Sequence, residues 1–133
     1  MIDARQFLRA AEQRFTTAEF LLESNRPLDS LYLGGYAVEC ALKGLIIDST
    51  PETDWLTTFE KISSGAKMHY HEALAPFLKE RGKPIPPEIT KSLRRFRWTT
   101  GLRYETGRPP RGEVRGYLKV AVRVITWVRG EMK

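Results

Sequence analysis

Three features of this sequence predict an all-α fold: an antiparallel four-to-five-helix up-and-down bundle, built as a single domain over residues 1–133. Apolar residues recur at spacings of three and four along most of the chain. No stretch alternates apolar and polar residues with a period of two, and short runs rich in proline and glycine separate the periodic segments. Amphipathic helices joined by short connections lie side by side in opposite directions, each burying its stripe against the others. The chain is long enough to close one hydrophobic core without metals or disulfides.

The first helix carries Ala4, Phe7, Ala11, Phe15, Ala18 and Leu22 as one apolar stripe. Asp3, followed three residues later by Gln6, predicts a capping box at its start, and Asn25, Arg26 and Pro27 predict its end. The second helix, from about Asp29 to Asp48, aligns Leu31, Val38, Leu42, Leu45 and Ile46. Beside that face, Gly34, Ala37, Ala41 and Gly44 form a strip of small residues that lets other helices approach closely, which makes this helix central.

Residues 49–68 read as a connection with one irregular turn around Trp55 to Ile62. A third helix is expected from about His69 to Glu80, with His71, Leu74, Phe77 and Leu78 on its inner side. Gly82 and "KPIPP" stop it. Pro86 or Pro87 opens a fourth helix bearing Ile89, Leu93 and Phe96, weakened or ended by Gly101. Arg97 borders that apolar face and is therefore expected half-buried at a cleft, while Arg94, Arg95 and Trp98 point elsewhere. After "GRPPRG", the last helix runs from about Glu113 to Arg129 and buries Val114, Leu118, Ala121, Ile125 and Val128.

Apolar content of 41% and charged content of 29% describe a soluble globular protein. The most apolar run, Leu31 to Ile47, contains Glu39 and Lys43 and falls short of the roughly 20 apolar residues that span a bilayer. Asp3, Arg5, Arg9 and Glu12 interrupt any signal-like stretch at the N-terminus. The single Cys40 has no internal partner, which agrees with a reducing compartment, and the cytoplasm is the expected location. The net charge of +6 is unevenly spread. Residues 1–50 hold five basic and seven acidic side chains, a net −2, whereas residues 91–133 hold twelve basic and three acidic, a net +9. The C-terminal third is an anion-attracting segment or a solvated basic surface.

Catalytic motifs are scarce. "HYH" at 69–71 and one cysteine offer no metal set, because residues two apart on a helix point in different directions. No GxSxG, GxxxxGK[ST] or GxGxxG occurs, so no cofactor is implied. Cys40 reads as a buried core thiol. On the last helix Arg115, Lys119 and Arg123 recur every four residues opposite the apolar stripe. Like charges at that spacing repel unless phosphates, acidic groups or water offset them.

The stretch "GGYAVECALKGLII" resembles the second-helix signature of HEPN domains (higher eukaryotes and prokaryotes nucleotide-binding). "AEFLLES" is similar to the end of that family's first helix, "HEALAPFL" to its third, and "LRYETG" to the stretch between its last two long helices. The resemblance implies a helical bundle that dimerises around a cleft. It also implies a role as a small partner of a minimal nucleotidyltransferase, often in a toxin and antitoxin pair, or as a metal-independent ribonuclease. The ribonuclease members carry an arginine, four to six residues, then a histidine. Here Arg97 is followed at that spacing by Leu102 to Tyr104, and Arg103 by Arg108 to Pro110, so the pattern fails. Arginine holds phosphate charge but stays protonated and is a poor proton-transfer group.

The sequence therefore points to a non-catalytic protein that binds nucleotide or RNA phosphate through Arg97, Arg103 and Tyr104, with Arg115 and Lys119 extending the positive field. Its expected partners are a second copy of itself, a nucleotidyltransferase, and a nucleotide or RNA, with no membrane. Two alternatives stand beside this. One is a ribonuclease with an altered site, for which Tyr104 and Glu105 are the nearby substitutes in sequence. The other is a structural dimerisation module using the small-residue strip with Leu33 and Ile47. Glu39 and Lys43 are either part of the family's cleft or, as their spacing favours, an ion pair that fastens neighbouring helices.

Overall fold

A computed structural model describes residues 2–96 and 98–133; Arg97, expected at the cleft, lies outside the described residues. The chain is all helical, with α1 at Ala4–Glu23, α2 at Pro27–Asp48, α3 at Trp55–Ile62, α4 at His71–Glu80, α5 at Pro87–Arg94 and α6 at Arg111–Glu131. Short 3-10 turns lie at Glu52–Asp54, Ala66–His69 and Thr100–Tyr104. There is no strand among the described residues. The four to five expected helices are six, because the irregular turn at Trp55–Ile62 is a two-turn helix that buries Thr58 and Ile62.

Asp3 caps α1 by accepting a hydrogen bond from the Arg5 backbone N–H at 2.9 Å. The expected capping box does not form, since the Asp3 carboxylate takes the Arg5 N–H and the Gln6 backbone N–H donates to the Asp3 carbonyl. Pro27 does not end α1. It is the first residue of α2, where a missing N–H costs nothing, and the reversal is made by Asn25 in the left-handed region at φ 61°. Ser30 fastens the hairpin by donating from Oγ to the Ala18 carbonyl at 2.6 Å, both groups being buried.

α2 is the axis of the molecule. It is long and apolar enough by length and composition to cross a membrane, but most of it is sheathed by other helices of the chain. The small-residue strip does what its composition predicts. A methyl group added at Gly34 would meet Leu118 and Tyr117 of α6, and one at Gly44 would meet Phe7 of α1 and Met132. α6 lies antiparallel to α1, since Arg129 pairs with Glu12 at 2.6 Å and the Lys133 carbonyl accepts from Arg5. It therefore runs in the same direction as α2. The strip is thus filled from within the chain, and Ile47 is fully buried.

α5 is shorter than its sequence pattern predicts. It stops at Arg94, and Phe96, Trp98 and Thr99 lie outside any helix, ahead of the 3-10 turn at Thr100–Tyr104. This early exit gives Trp98 a different place from the one helical periodicity assigns.

A cleft closed by Trp98 beside an exposed arginine and tyrosine

Trp98 packs against the core instead of pointing away from it. Its indole lies against the bare backbone of α2 at Gly35, where an added Cβ would overlap the ring. From there Nε1 donates to the carbonyls of Leu31 and Tyr32 at 3.0 and 3.1 Å. Aromatic rings surround it. Tyr32 stacks on Trp98 with centroids 6.2 Å apart, while Tyr36 and Tyr70 meet it edge-on at 5.2 and 6.1 Å. Such offset and edge-on pairs add stability beyond the area they bury. Burial first, and then the hydrogen-bonded Tyr32 hydroxyl beside it, push the Tyr36 phenol up to about 12, so it stays protonated.

Trp98 forms one wall of a cavity of about 460 Å³ between α2, α4, α5 and α6. Gly35 and Val38 make its floor; Tyr70, Phe96 and Tyr117 complete its aromatic lining; His69, His71, Glu72, Arg94 and Thr99 supply its polar groups. Both histidines are distant in sequence from the arginines, but the fold brings them to the same cavity as Arg94. His71 opens α4 and faces inward as expected. Its Nδ1 sits 3.2 Å from Glu72 Oε1, and its buried Nε2 has no hydrogen-bond partner among the described residues. Burial holds this imidazole below the usual histidine range despite the Glu72 carboxylate beside it, which keeps it neutral near pH 7.

Glu39 and Lys43 form an ion pair at 2.8 Å, as their spacing predicts, yet it is buried, with side-chain exposures of 10% and 9%. The second carboxylate oxygen of Glu39 is 3.0 Å from Nδ1 of His69. Glu39 therefore ties the turn before α4 to α2 and orients an imidazole at the cavity. Replacing Glu39 with alanine leaves a buried ammonium without its anion and is expected to cost about 3 kcal/mol in urea denaturation. Replacing Glu39 and Lys43 together with leucine is expected to cost clearly less, because no uncompensated charge remains.

The exposed side of this region carries Arg103 and Tyr104. The Arg103 guanidinium lies 5.0 Å above the Tyr104 ring, and Tyr104 is 77% exposed. Tyr104 first, and then Tyr32, further stabilise the charged guanidinium. Arg103 makes no ion pair with a carboxylate among the described residues. Leu102, between them and the core, is buried. Arg115 and Lys119 lie elsewhere. They line a groove between α1 and α6 with Phe15, Glu19, Glu23 and Val122, where acidic groups of α1 share the surface. Four of the expected site residues thus divide into two places, and only Arg103 and Tyr104 adjoin the Trp98 region.

Cys40 is less buried than expected and lines a groove with Phe7, Arg14 and Phe59. Burial pushes its thiol up, with Arg14 opposing, so it is a poor nucleophile. The described residues contain no cluster of three potential metal ligands.

The family model for the HEPN domain matches residues 4–131, nearly the whole chain. The chain belongs to the HEPN domain family. No curated protein and no solved structure matches it. Membership in the HEPN family fits a nucleotide- or RNA-related role. Sequence reasoning missed Trp98, His69 and His71 as neighbours of the basic segment of this HEPN domain. The one signal in the sequence was Gly35, whose place beside Gly34 inside a helix has no helical advantage and marks a close approach.

Proposed function

We propose that this HEPN domain binds a nucleotide or RNA by its phosphate through Arg103 and Tyr104, with Arg94 at the Trp98 cavity as a further cation, without cleaving it. The observation that carries the reading is the exposed Arg103 guanidinium above an exposed tyrosine ring, with no carboxylate paired to it among the described residues. A guanidinium is suited to bidentate phosphate contact, and a free phenol ring to stacking on a base. The position at which the ribonuclease pattern starting from Arg97 first calls for histidine holds Leu102, an apolar side chain turned into the core. That supports binding without the family's proton-transfer step. A homodimer and a minimal nucleotidyltransferase of the toxin and antitoxin kind, both cytoplasmic, are the partners that belong to this reading. Titration of the purified chain with short single-stranded RNA at several salt concentrations tests it, and affinity should fall as salt rises.

One observation favours a second reading, a ribonuclease with an altered site. His69 lines the cleft and is oriented by the buried Glu39 carboxylate, an arrangement that suits an imidazole to proton transfer. Under this reading the chain cuts single-stranded RNA without added metal, and His69→Ala lowers the rate at least about a hundredfold while leaving RNA affinity unchanged. Intact RNA after prolonged incubation with the unmodified protein would sink it.

A further inference from the structure

We infer that the cavity behind Trp98 is a nucleobase subsite, which takes the base of the nucleotide whose phosphate Arg94 holds and favours bases that carry an exocyclic amino group. The inference rests on the phosphate-binding reading and adds a ligand part to it. The volume of about 460 Å³ lies within the range of small-ligand sites, which are mostly apolar with a few placed polar groups. Its walls are rings: Trp98, Tyr70 and Phe96 present faces and edges that fit a flat heterocycle.

The polar groups select the kind of ring. Arg94 and Glu72 both line the cavity and are exposed, so a cation and a carboxylate border the same opening. A bare phosphate would meet Arg94 but be repelled by Glu72, and would leave the aromatic walls without contact. A purely apolar ring would leave both charges unused. A nucleotide meets all three demands, with phosphate on the guanidinium, ring against the aromatic walls, and amino N–H groups donating to Glu72. Adenine, guanine and cytosine carry such an amino group, and uracil does not. His71 supports this rim, since its contact with Glu72 at 3.2 Å holds the carboxylate at the mouth.

The test is titration of the intact chain with adenosine, guanosine, cytidine and uridine 5′-monophosphates, ribose 5-phosphate and inorganic phosphate, followed through the indole N–H signals by NMR. The amino-bearing nucleotides should bind at least about tenfold more tightly than ribose 5-phosphate and shift the Trp98 signal. Glu72→Ala, at an exposed position, removes the acceptor and should abolish their advantage over uridine monophosphate while the chain stays folded. Arg94→Ala should weaken every phosphate-bearing ligand. If ribose 5-phosphate binds as tightly as the nucleotides, or Trp98 is unmoved while Arg103 and Tyr104 respond, the base subsite is overturned and the phosphate reading stands. If none of the ligands binds, both are overturned.

Discussion

Gly35→Ala should lower stability by about 3 kcal/mol or more and the melting temperature by about 10 °C, a large effect for one added methyl group. In an ordinary helix interior the same change stabilises by up to about 1 kcal/mol, since alanine is the better helix former. Here the new Cβ would overlap the Trp98 indole. The ring cannot yield by small rotations, because its Nε1 is held by two carbonyls of the same helix and its faces and edges by three tyrosines. It must leave, and its burial, its hydrogen bonds and its packing on the tyrosine rings go with it. A double-mutant cycle separates this cause from a general intolerance of the site. Trp98→Ala alone should be destabilising, and adding Gly35→Ala to it should cost nothing or restore some stability. Thermal and urea denaturation read both. Additive losses would show that Gly35 is needed for some reason other than Trp98.

The second large effect concerns binding. Arg103→Glu combined with Tyr104→Ala should weaken short single-stranded RNA at least about tenfold, since one charge-assisted phosphate contact and one stacking surface are removed. The slope of affinity against salt should also become shallower, by about 0.7 for each phosphate that is no longer neutralised. Arg115→Glu with Lys119→Glu, which reverses two charges instead of one, should cost less than about threefold at physiological salt, where the screening length is about 8 Å. Those two side chains share with Glu19 and Glu23 a groove that neither Arg103 nor Tyr104 lines. Fluorescence anisotropy with one labelled RNA ranks the variants. Equal losses from the two pairs would mean that net charge, and no particular surface, governs binding.

The sequence made the helical scaffold plain because its information is local and periodic. The stripes of α1 and α6, the central position of α2 and the small-residue strip all follow from residue type at spacings of three and four. Pro27 is ambiguous for a physical reason: proline breaks a helix behind it and is well tolerated at the start of the next, and only the backbone of Asn25 shows which applies. Trp98 is misplaced when helical geometry is extended past Arg94, where the chain leaves the helix. Glu39 and Lys43 are legible as a pair but not as a buried one, since depth depends on what covers α2. The nearness of His69 and His71 to Arg94 is a tertiary fact with no trace in local pattern. The division of Arg103 and Tyr104 from Arg115 and Lys119 is of the same kind, because a shared charge run does not fix a shared face.

Titration of the isotopically labelled chain with short single-stranded RNA, with backbone amide and indole signals assigned, locates the contact surface directly. The phosphate-binding reading predicts shifts concentrated on Arg103, Tyr104, Arg94 and the Trp98 indole, with the Arg115 and Lys119 groove largely silent. Shifts centred on the groove between α1 and α6, or none at concentrations where RNA-binding domains respond, would contradict it.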